Sequence, residues 1–197
     1  MYQGALFGGP LFICLDFKPV SRYNKRMTKE ETYQHLLDRG MDPTLYNLSV
    51  DEGVVSFPLY EFGGRNVGYQ NYRPFADRNH KNVREARYFT YLPKQVNGYF
   101  GTESLSTPGP VYLVEGVFKA AKLHRLGYCS VALMGAETKR HRSQLSLLRR
   151  TLVAIGDNDE AGKKFARSFG GFVSPTDLDE MLDDDVRKLL RGYERTQ

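Results

Sequence analysis

Two stretches decide how this sequence folds: Val111-Tyr112-Leu113-Val114-Glu115-Gly116, and Leu152-Val153-Ala154-Ile155-Gly156-Asp157-Asn158-Asp159-Glu160-Ala161-Gly162. Each is an apolar run of strand length that stops on carboxylates beside glycine. Strands that are apolar at nearly every position read as buried on both faces, as in parallel sheets covered by helices. Ligands of such sheets bind outside the carboxyl ends of the strands. Glu115, Asp157 and Asp159 are therefore expected on one rim. Carboxylates gathered there repel one another. A hard divalent cation, Mg²⁺ or Mn²⁺, takes oxygen ligands, keeps waters for a phosphate substrate and relieves that repulsion.

Around these two runs the pattern alternates regularly. Helix is expected over 117–126 with Gly127 as its stop, strand over 129–133 ending at Gly135, and a basic helix from Thr138 to about Arg150. Strand 151–155, helix 160–169 closed by Gly170-Gly171, a short strand at 172–173 and an acidic helix from about Asp177 to Arg191 complete the series. Strand–helix repeats of this length imply right-handed crossovers and a parallel α/β sheet flanked by helices.

The amino-terminal half has a different texture. Thr28-Lys29-Glu30-Glu31 fits a capping box that opens a short helix, with Tyr33, Leu36 and Leu37 on one face and Gly40 at its end. Val54–Tyr60 and Asn66–Tyr72 read as a hairpin around Gly63-Gly64. From Arg73 to Lys94, Arg73, Arg78, Lys81, Arg84, Arg87 and Lys94 are interleaved with Phe75, Tyr88, Phe89 and Tyr91. Cations that track phosphates and rings that stack bases suit single-stranded nucleic acid. A solvated loop leading into a strand at Tyr88 explains the same residues. Asn97–Pro110, rich in Gly, Ser, Thr and Pro, is the expected linker. The expected division is an arm and helix over 1–49, a smaller α+β subdomain over 50–108 and the α/β unit over 109–197.

Composition narrows the function classes. Lys and Arg number 28 against 23 Asp and Glu, a net charge of +5 and a sequence pI near 9.1. That balance suits a polyanionic partner and is shared by many solvated domains. No apolar run approaches the about 18–20 residues of a membrane span, so no membrane partner is expected. The opening residues make a poor signal peptide. Cys14 and Cys129 are too few and too far apart for a Cys₄ zinc ribbon, and they fit a reducing cytoplasm. His35, His80, His124 and His141 have no zinc-like spacing.

Asp157 and Asp159 lie two residues apart in a turn after a strand, where both side chains can reach one ion. Taken singly, Asp159 reads equally as the N-cap of the helix that starts near Glu160. The cations of the basic helix, among them Lys139, Arg140, Arg142, Arg149 and Arg150, read first as a solvated face, with Leu145 and Leu148 buried beneath.

Glu115-Gly116 after a hydrophobic strand, Ala132-Leu133-Met134-Gly135, and Asp157-Asn158-Asp159-Glu160-Ala161-Gly162 together resemble the toprim domain of primases, topoisomerases and some nucleases. Asp177-Leu178-Asp179-Glu180 resembles the acidic segment that follows in primases. Phe57-Pro58-Leu59-Tyr60, Val67-Gly68-Tyr69, Arg73 and Ala86-Arg87-Tyr88-Phe89 are similar to the amino-terminal part of a primase polymerase core. The resemblance covers about residues 111–190 for the first part and 50–108 for the second. It implies a metal-dependent, DNA-primase-type nucleotidyltransferase acting on single-stranded DNA and nucleoside triphosphates. Glu115, Asp157 and Asp159 are then catalytic acids and metal ligands, with Asp177 and Asp179 toward a second ion. Arg73, Arg87 and Lys119 face template and nucleotide phosphates.

The sequence departs from that pattern in three ways. The position four residues after Glu115 is commonly acidic in the family and is Lys119 here, which implies either phosphate neutralisation or altered catalysis. A Gly-Gly-Arg element is replaced by Gln70-Asn71-Tyr72-Arg73. A core without a zinc ribbon or helicase is expected to borrow one in trans, in a bacterial or bacteriophage-infected cytoplasm. Two further readings stay open: a toprim-type metal-dependent nuclease, and an inactive module that binds nucleic acid or a replication protein.

Overall fold

The capping box forms: Thr28 N–H donates to Glu31 Oε2 at 2.9 Å and Glu31 N–H to the Thr28 hydroxyl at 3.2 Å. It starts helix α1 (Lys29–Asp38), which Gly40 ends at φ +72°. The apolar stripe is narrower than the sequence implies, since Leu36 is fully buried while Leu37 is 40% exposed. The computed structural model describes residues 27–134 and 138–195. The expected arm, with its apolar run Leu11–Leu15, its basic Lys18, Arg22, Lys25 and Arg26, and Cys14, lies outside the described residues, as does Gly135. Cys129 is free and buried.

A four-stranded antiparallel sheet follows α1 in the order β1 (Ser49–Asp51), β2 (Val54–Tyr60), β3 (Asn66–Tyr72) and β4 (Tyr88–Tyr91). The expected hairpin is β2–β3, antiparallel with a register irregularity at Leu59/Tyr60. Period-two alternation sends Val55, Phe57 and Leu59 into the core. β1 has only three residues and no apolar pattern of its own.

The second half alternates as expected, except that the basic helix ends at Leu145 and passes into a 3-10 turn over Ser146–Leu148 instead of running to about Arg150: β5 (Val111–Val114), α2 (Val117–Arg125), β6 (Ser130–Ala132), α3 (Thr138–Leu145), β7 (Leu152–Gly156), α4 (Glu160–Ser168), β8 (Phe172–Val173) and α5 (Asp183–Glu194). Its strands pair in parallel in the order β6-β5-β7-β8. This is the parallel α/β sheet flanked by helices, preceded by an α+β part, that the sequence implies. The acidic helix begins at Asp183 rather than near Asp177. Residues 177–182 instead form turns, and Asp183, Asp184 and Asp185 fill the first helical turn, where carboxylates suit the helix dipole.

The expected linker is packed. Tyr99 and Phe100, 0% and 2% exposed, bridge Tyr60 of β2 and Ala132 of β6, so one stretch of backbone ties the two sheets. Phe57 and Phe100 meet edge to face at 5.7 Å, Phe57 and Phe118 at 5.8 Å, and Tyr72 and Phe118 at 5.0 Å. One apolar core thus runs from the inner face of β2–β3 onto α2 and β5. Among the described residues, no helix is long and apolar enough to cross a membrane.

Candidate functional site

The strand order reverses between β5 and β7. From β5 the chain crosses to β6 on one side, returns through α3 to β7 on the other, and continues outward to β8. Crevices at such a reversal, beyond the carboxyl ends of the strands, are where open α/β sheets bind ligands. Glu115 follows β5 and Asp157 follows β7, so two of the predicted acids flank this point. The turn after β7 is too tight for side chains at its glycines. A Cβ on Gly156 would lie 2.0 Å from the Gly162 carbonyl oxygen, and one on Gly162 would lie 2.2 Å from the Asp157 carbonyl oxygen.

Asp159 takes the cap position of α4, and its Oδ1 accepts from Gly162 N–H at 2.7 Å. Glu115 is half-buried, and its Oε1 is buried without a hydrogen-bond partner. Burial pushes the Glu115 carboxyl above its ordinary range. The Asp157 charge adds to that, the Lys119 ammonium opposes it, and Asp159 adds a smaller push upward.

Lys119, one turn into α2, reaches back over the rim. Its Nζ donates to Asp157 Oδ1 and lies 3.5 Å from Asp177 Oδ1, with its side chain only 12% exposed. Burial disfavours the ammonium, but the hydrogen bond to Asp157 and the charges of Asp157, Asp177 and Asp179 outweigh it and raise its pKa. The same face of α2 continues as Lys122 and Arg125, spaced three residues apart. Lys122 Nζ donates to the Met181 carbonyl at 2.6 Å and pairs with Asp183 at 2.8 Å. Arg125 makes two 2.7 Å bonds to Asp183. Those bonds, Arg125's first, hold the Asp183 carboxyl down to about 2. A basic stripe on α2 therefore clasps the acidic segment 177–183.

Arg39, at the end of α1, pairs with Asp179, donates to the Tyr72 hydroxyl at 3.3 Å and lies 3.8 Å from the Phe118 ring centroid. Burial works against its charge, and the Tyr72 and Asp179 partners hold its pKa up. Sequence reasoning missed this residue, because nothing in a lone arginine before a helix-ending glycine marks a partner in the last quarter of the chain.

These groups line one cleft of about 580 Å³. Glu115, Lys119, Asp157, Asp177 and Asp179 form one wall. The amino-terminal half supplies the other, with Tyr72 of β3, Tyr88 of β4, and Arg78 and Arg87 from the connection between these strands. Tyr72 and Tyr88 stack at 5.1 Å across β3–β4, leaving Tyr88 38% exposed. Arg87 is aimed by its Nε, which donates to the Ala76 carbonyl at 3.0 Å. Of the predicted residues, Arg73 and Asp159 are not in this lining. The Arg73 backbone N–H donates to the Arg87 carbonyl at 2.9 Å, and its Nη1 is buried without a partner.

The basic helix is largely committed elsewhere. Leu145 is buried as expected, Arg142 donates to the Ser168 carbonyl at 2.9 Å, and Arg150 spans the carbonyls of Leu105, Thr107 and Gly109.

The donor set is chemically right for a hard divalent ion, and the orphaned Glu115 Oε1 is an acceptor that a cation would satisfy. The arrangement is nevertheless incomplete. Among the described residues no three His, Cys, Asp or Glu side chains gather to share one ion. Lys119 bridges two of the candidate ligands, Arg39 holds a third, and Asp159 commits one oxygen to its helix cap.

No protein-family model matches the sequence, and neither does any curated protein. Solved structures do. The primase fragment of the bacteriophage T7 primase-helicase protein superposes with a TM-score of 0.59 at 16% identity, covering 85% of this chain and 74% of that one. A DNA primase domain from Pseudomonas aeruginosa gives 0.57 at 18% identity, covering 83% and 58%. A DnaG primase catalytic domain bound to single-stranded DNA gives 0.52 at 18% identity, covering 85% and 59%. The chain thus spans less than two thirds of the length of the last two. At these identities the likeness is one of fold, and by that measure the chain has the fold of the catalytic cores of bacterial and bacteriophage DNA primases.

Proposed function

We propose that this chain is a primase-type nucleotidyltransferase core that acts on single-stranded DNA and nucleoside triphosphates with Mg²⁺ or Mn²⁺. The observation that carries this reading is the cleft itself. At the sheet's reversal point it brings Glu115, Asp157, Asp177 and Asp179 into one lining with Arg78, Arg87 and the exposed ring of Tyr88.

Arg78 and Arg87 supply fixed positive charge for template or triphosphate oxygens, and Tyr88 supplies a face on which a base can stack. Glu115, with its proton affinity raised by burial, is suited to accept the proton of an attacking 3′ hydroxyl. Asp157, Asp159 and Glu115, with Asp177 and Asp179 for a second ion, are the residues that would hold the metal. Held there, a divalent ion would supply charge stabilisation for the attacking and leaving oxygens of an in-line displacement. A helicase or another replication protein is the kind of partner that would deliver the template.

A second reading has one observation in its favour: Lys119 and Arg39 already neutralise three of the acids, as they would in a module that binds nucleic acid without turnover. Incubation with single-stranded DNA, labelled ribonucleotides and MgCl₂ or MnCl₂ tests both. Template-dependent oligoribonucleotides that vanish in Glu115→Gln support the synthetic reading. Salt-sensitive DNA binding without product in any metal, with or without a helicase, supports the binding module. Metal-dependent nicking without triphosphates would mark a nuclease instead.

A further inference from the structure

Lys119 stands apart from the rest of the α2 stripe. Lys122 and Arg125 are spent on Asp183 and the Met181 carbonyl, which suffices to anchor segment 177–183 to the helix. Lys119 instead crosses to a different strand end. It joins Asp157, after β7, to Asp177, on the turn that follows β8. Its side chain is 12% exposed, whereas that of Asp177 is 51% exposed. A buried ammonium thus sits between two carboxylates that open toward the cleft. Next to it is the one carboxylate of the rim with a buried, unpartnered oxygen, Glu115 Oε1. The rim already holds a cation, and it belongs to the protein.

We propose that Lys119 is a built-in, displaceable counter-ion: in the free protein its ammonium holds Asp157 and Asp177 in place of a divalent ion, which enters only together with a triphosphate that takes the ammonium over. The inference rests on the nucleotidyltransferase reading given above, and deepens it by assigning the order in which metal and nucleotide are bound.

The physical reasons are these. A divalent ion arriving alone would strip Lys119 of its carboxylates and leave a mostly buried ammonium unpaired, which is strongly unfavourable. A lysine carries its charge on a flexible four-carbon stem with three donors and is a good point-charge partner for phosphate. A triphosphate entering beside Arg78 and Arg87 offers Lys119 replacement oxygens, frees Asp157 and Asp177, and brings further oxygens to the metal. Each ligand then lowers the cost of binding the other. Because coupling of equilibrium affinities is reciprocal, metal must tighten triphosphate binding by the same factor as triphosphate tightens metal binding.

The test is equilibrium dialysis against MnCl₂ with or without ATP, read as the excess Mn²⁺ on the protein side over the protein-free side, paired with thermal unfolding at matched ionic strength. The whole chain is compared as wild type, Lys119→Met, Lys119→Gln, and Lys119→Met with Asp157→Asn. The wild type should take up Mn²⁺ weakly from MnCl₂ alone and about ten- to a hundredfold more tightly with ATP present, within the usual range of coupling. Lys119→Met, and Lys119→Gln if the first folds poorly, should bind Mn²⁺ without ATP and gain melting temperature from it. The added Asp157→Asn should abolish both effects. Wild type that binds MnCl₂ alone as tightly as Lys119→Met overturns the inference and leaves the nucleotidyltransferase reading standing. Folded Lys119 variants that gain no affinity for MnCl₂ also overturn it. Failure of the broader reading shows separately, as absence of template-dependent product in the wild type.

Discussion

The guanidinium of Arg39 is ion-paired with the carboxylate of Asp179, 140 residues further along the chain, and so ties the end of the first helix to the acidic wall of the cleft. The Asp179 side chain is 8% exposed, and the arginine also rests on the Phe118 ring. Removing one member of a largely buried pair leaves an uncompensated charge. Arg39→Met should therefore cost about 3 kcal/mol, a fall in melting temperature of roughly 6–12 °C for a chain of this size. Arg39→Met combined with Asp179→Leu should recover most of that loss, because a buried pair replaced as a whole by apolar groups is often neutral. Denaturant unfolding of the three proteins checks it. A single-variant loss within about 0.5 kcal/mol would place the pair among weak surface bridges.

Asp183 receives bonds from both Lys122 and Arg125, and these bonds hold segment 177–183 against α2. Asp183→Asn should cost about 1 kcal/mol, since the bonds to Arg125 are exposed to solvent screening and only Lys122 is largely buried. It should also raise amide exchange in residues 177–182 selectively. Unchanged exchange there would show that Leu178, buried at 1% exposure, anchors the segment without the clasp.

The parallel half of the molecule was legible because its two central strands, β5 and β7, are apolar end to end and stop on glycine or acid, so length, period and boundary agree. β5, β7, β8 and the β2–β3 hairpin lie within a residue of where the sequence puts them. What stayed hidden depends on long-range partners. Asn97–Pro110 has the composition of a linker, yet Tyr99 and Phe100 are buried because the two sheets close over them. Arg39 reaches the cleft from a helix end that carries no sign of its distant partner, whereas Arg78 lies in the basic–aromatic stretch that the sequence marked. Arg73 and Arg87 look alike in sequence, but the turn at 73–76 aims only Arg87 into the lining. Asp159 showed in advance both of its readings, ligand and helix cap, and the structure uses it as a cap.

His124 links two elements through a relay. Its Nε2 is 2.9 Å from the Ser130 carbonyl, which can only accept, so Nε2 carries the proton and Nδ1 accepts from the Tyr46 hydroxyl at 2.9 Å. Burial pushes its pKa below the ordinary 6.5, against smaller upward pulls from Ser130 and Glu103. Below pH 6.5 the unfolded chain takes up the proton before the folded one does. Stability should therefore fall as pH drops from that value until the folded-state pKa is passed, and then level off. His35, also pushed down by burial, adds to the same window. The diagnostic is the difference between wild type and His124→Gln, whose loss of stability between pH 7 and pH 5 should be shallower. Parallel curves for the two proteins would contradict this assignment.

The cleft's basic wall should be separable from the outer basic helix. Arg78→Ala should weaken oligonucleotide binding and reduce the magnitude of the log K against log salt slope by about 0.7. Tyr88→Ala should cost about 1–3 kcal/mol of affinity with little change in that slope, as expected for a lost stacking face. Lys139→Ala, on the exposed face of α3, should change neither. Fluorescence anisotropy with a labelled single strand at several salt concentrations reads all three. A loss confined to Lys139→Ala would move the binding surface to α3.

The most direct measurement is a crystal structure grown with MnCl₂ and ATP and collected at the manganese absorption edge. The expected result is an anomalous peak bounded by Asp157 and triphosphate oxygens at the carboxyl ends of β5 and β7, with the Lys119 ammonium moved from Asp157 onto a phosphate. A triphosphate and manganese bound elsewhere, with Lys119 still bridging Asp157 and Asp177, would contradict it.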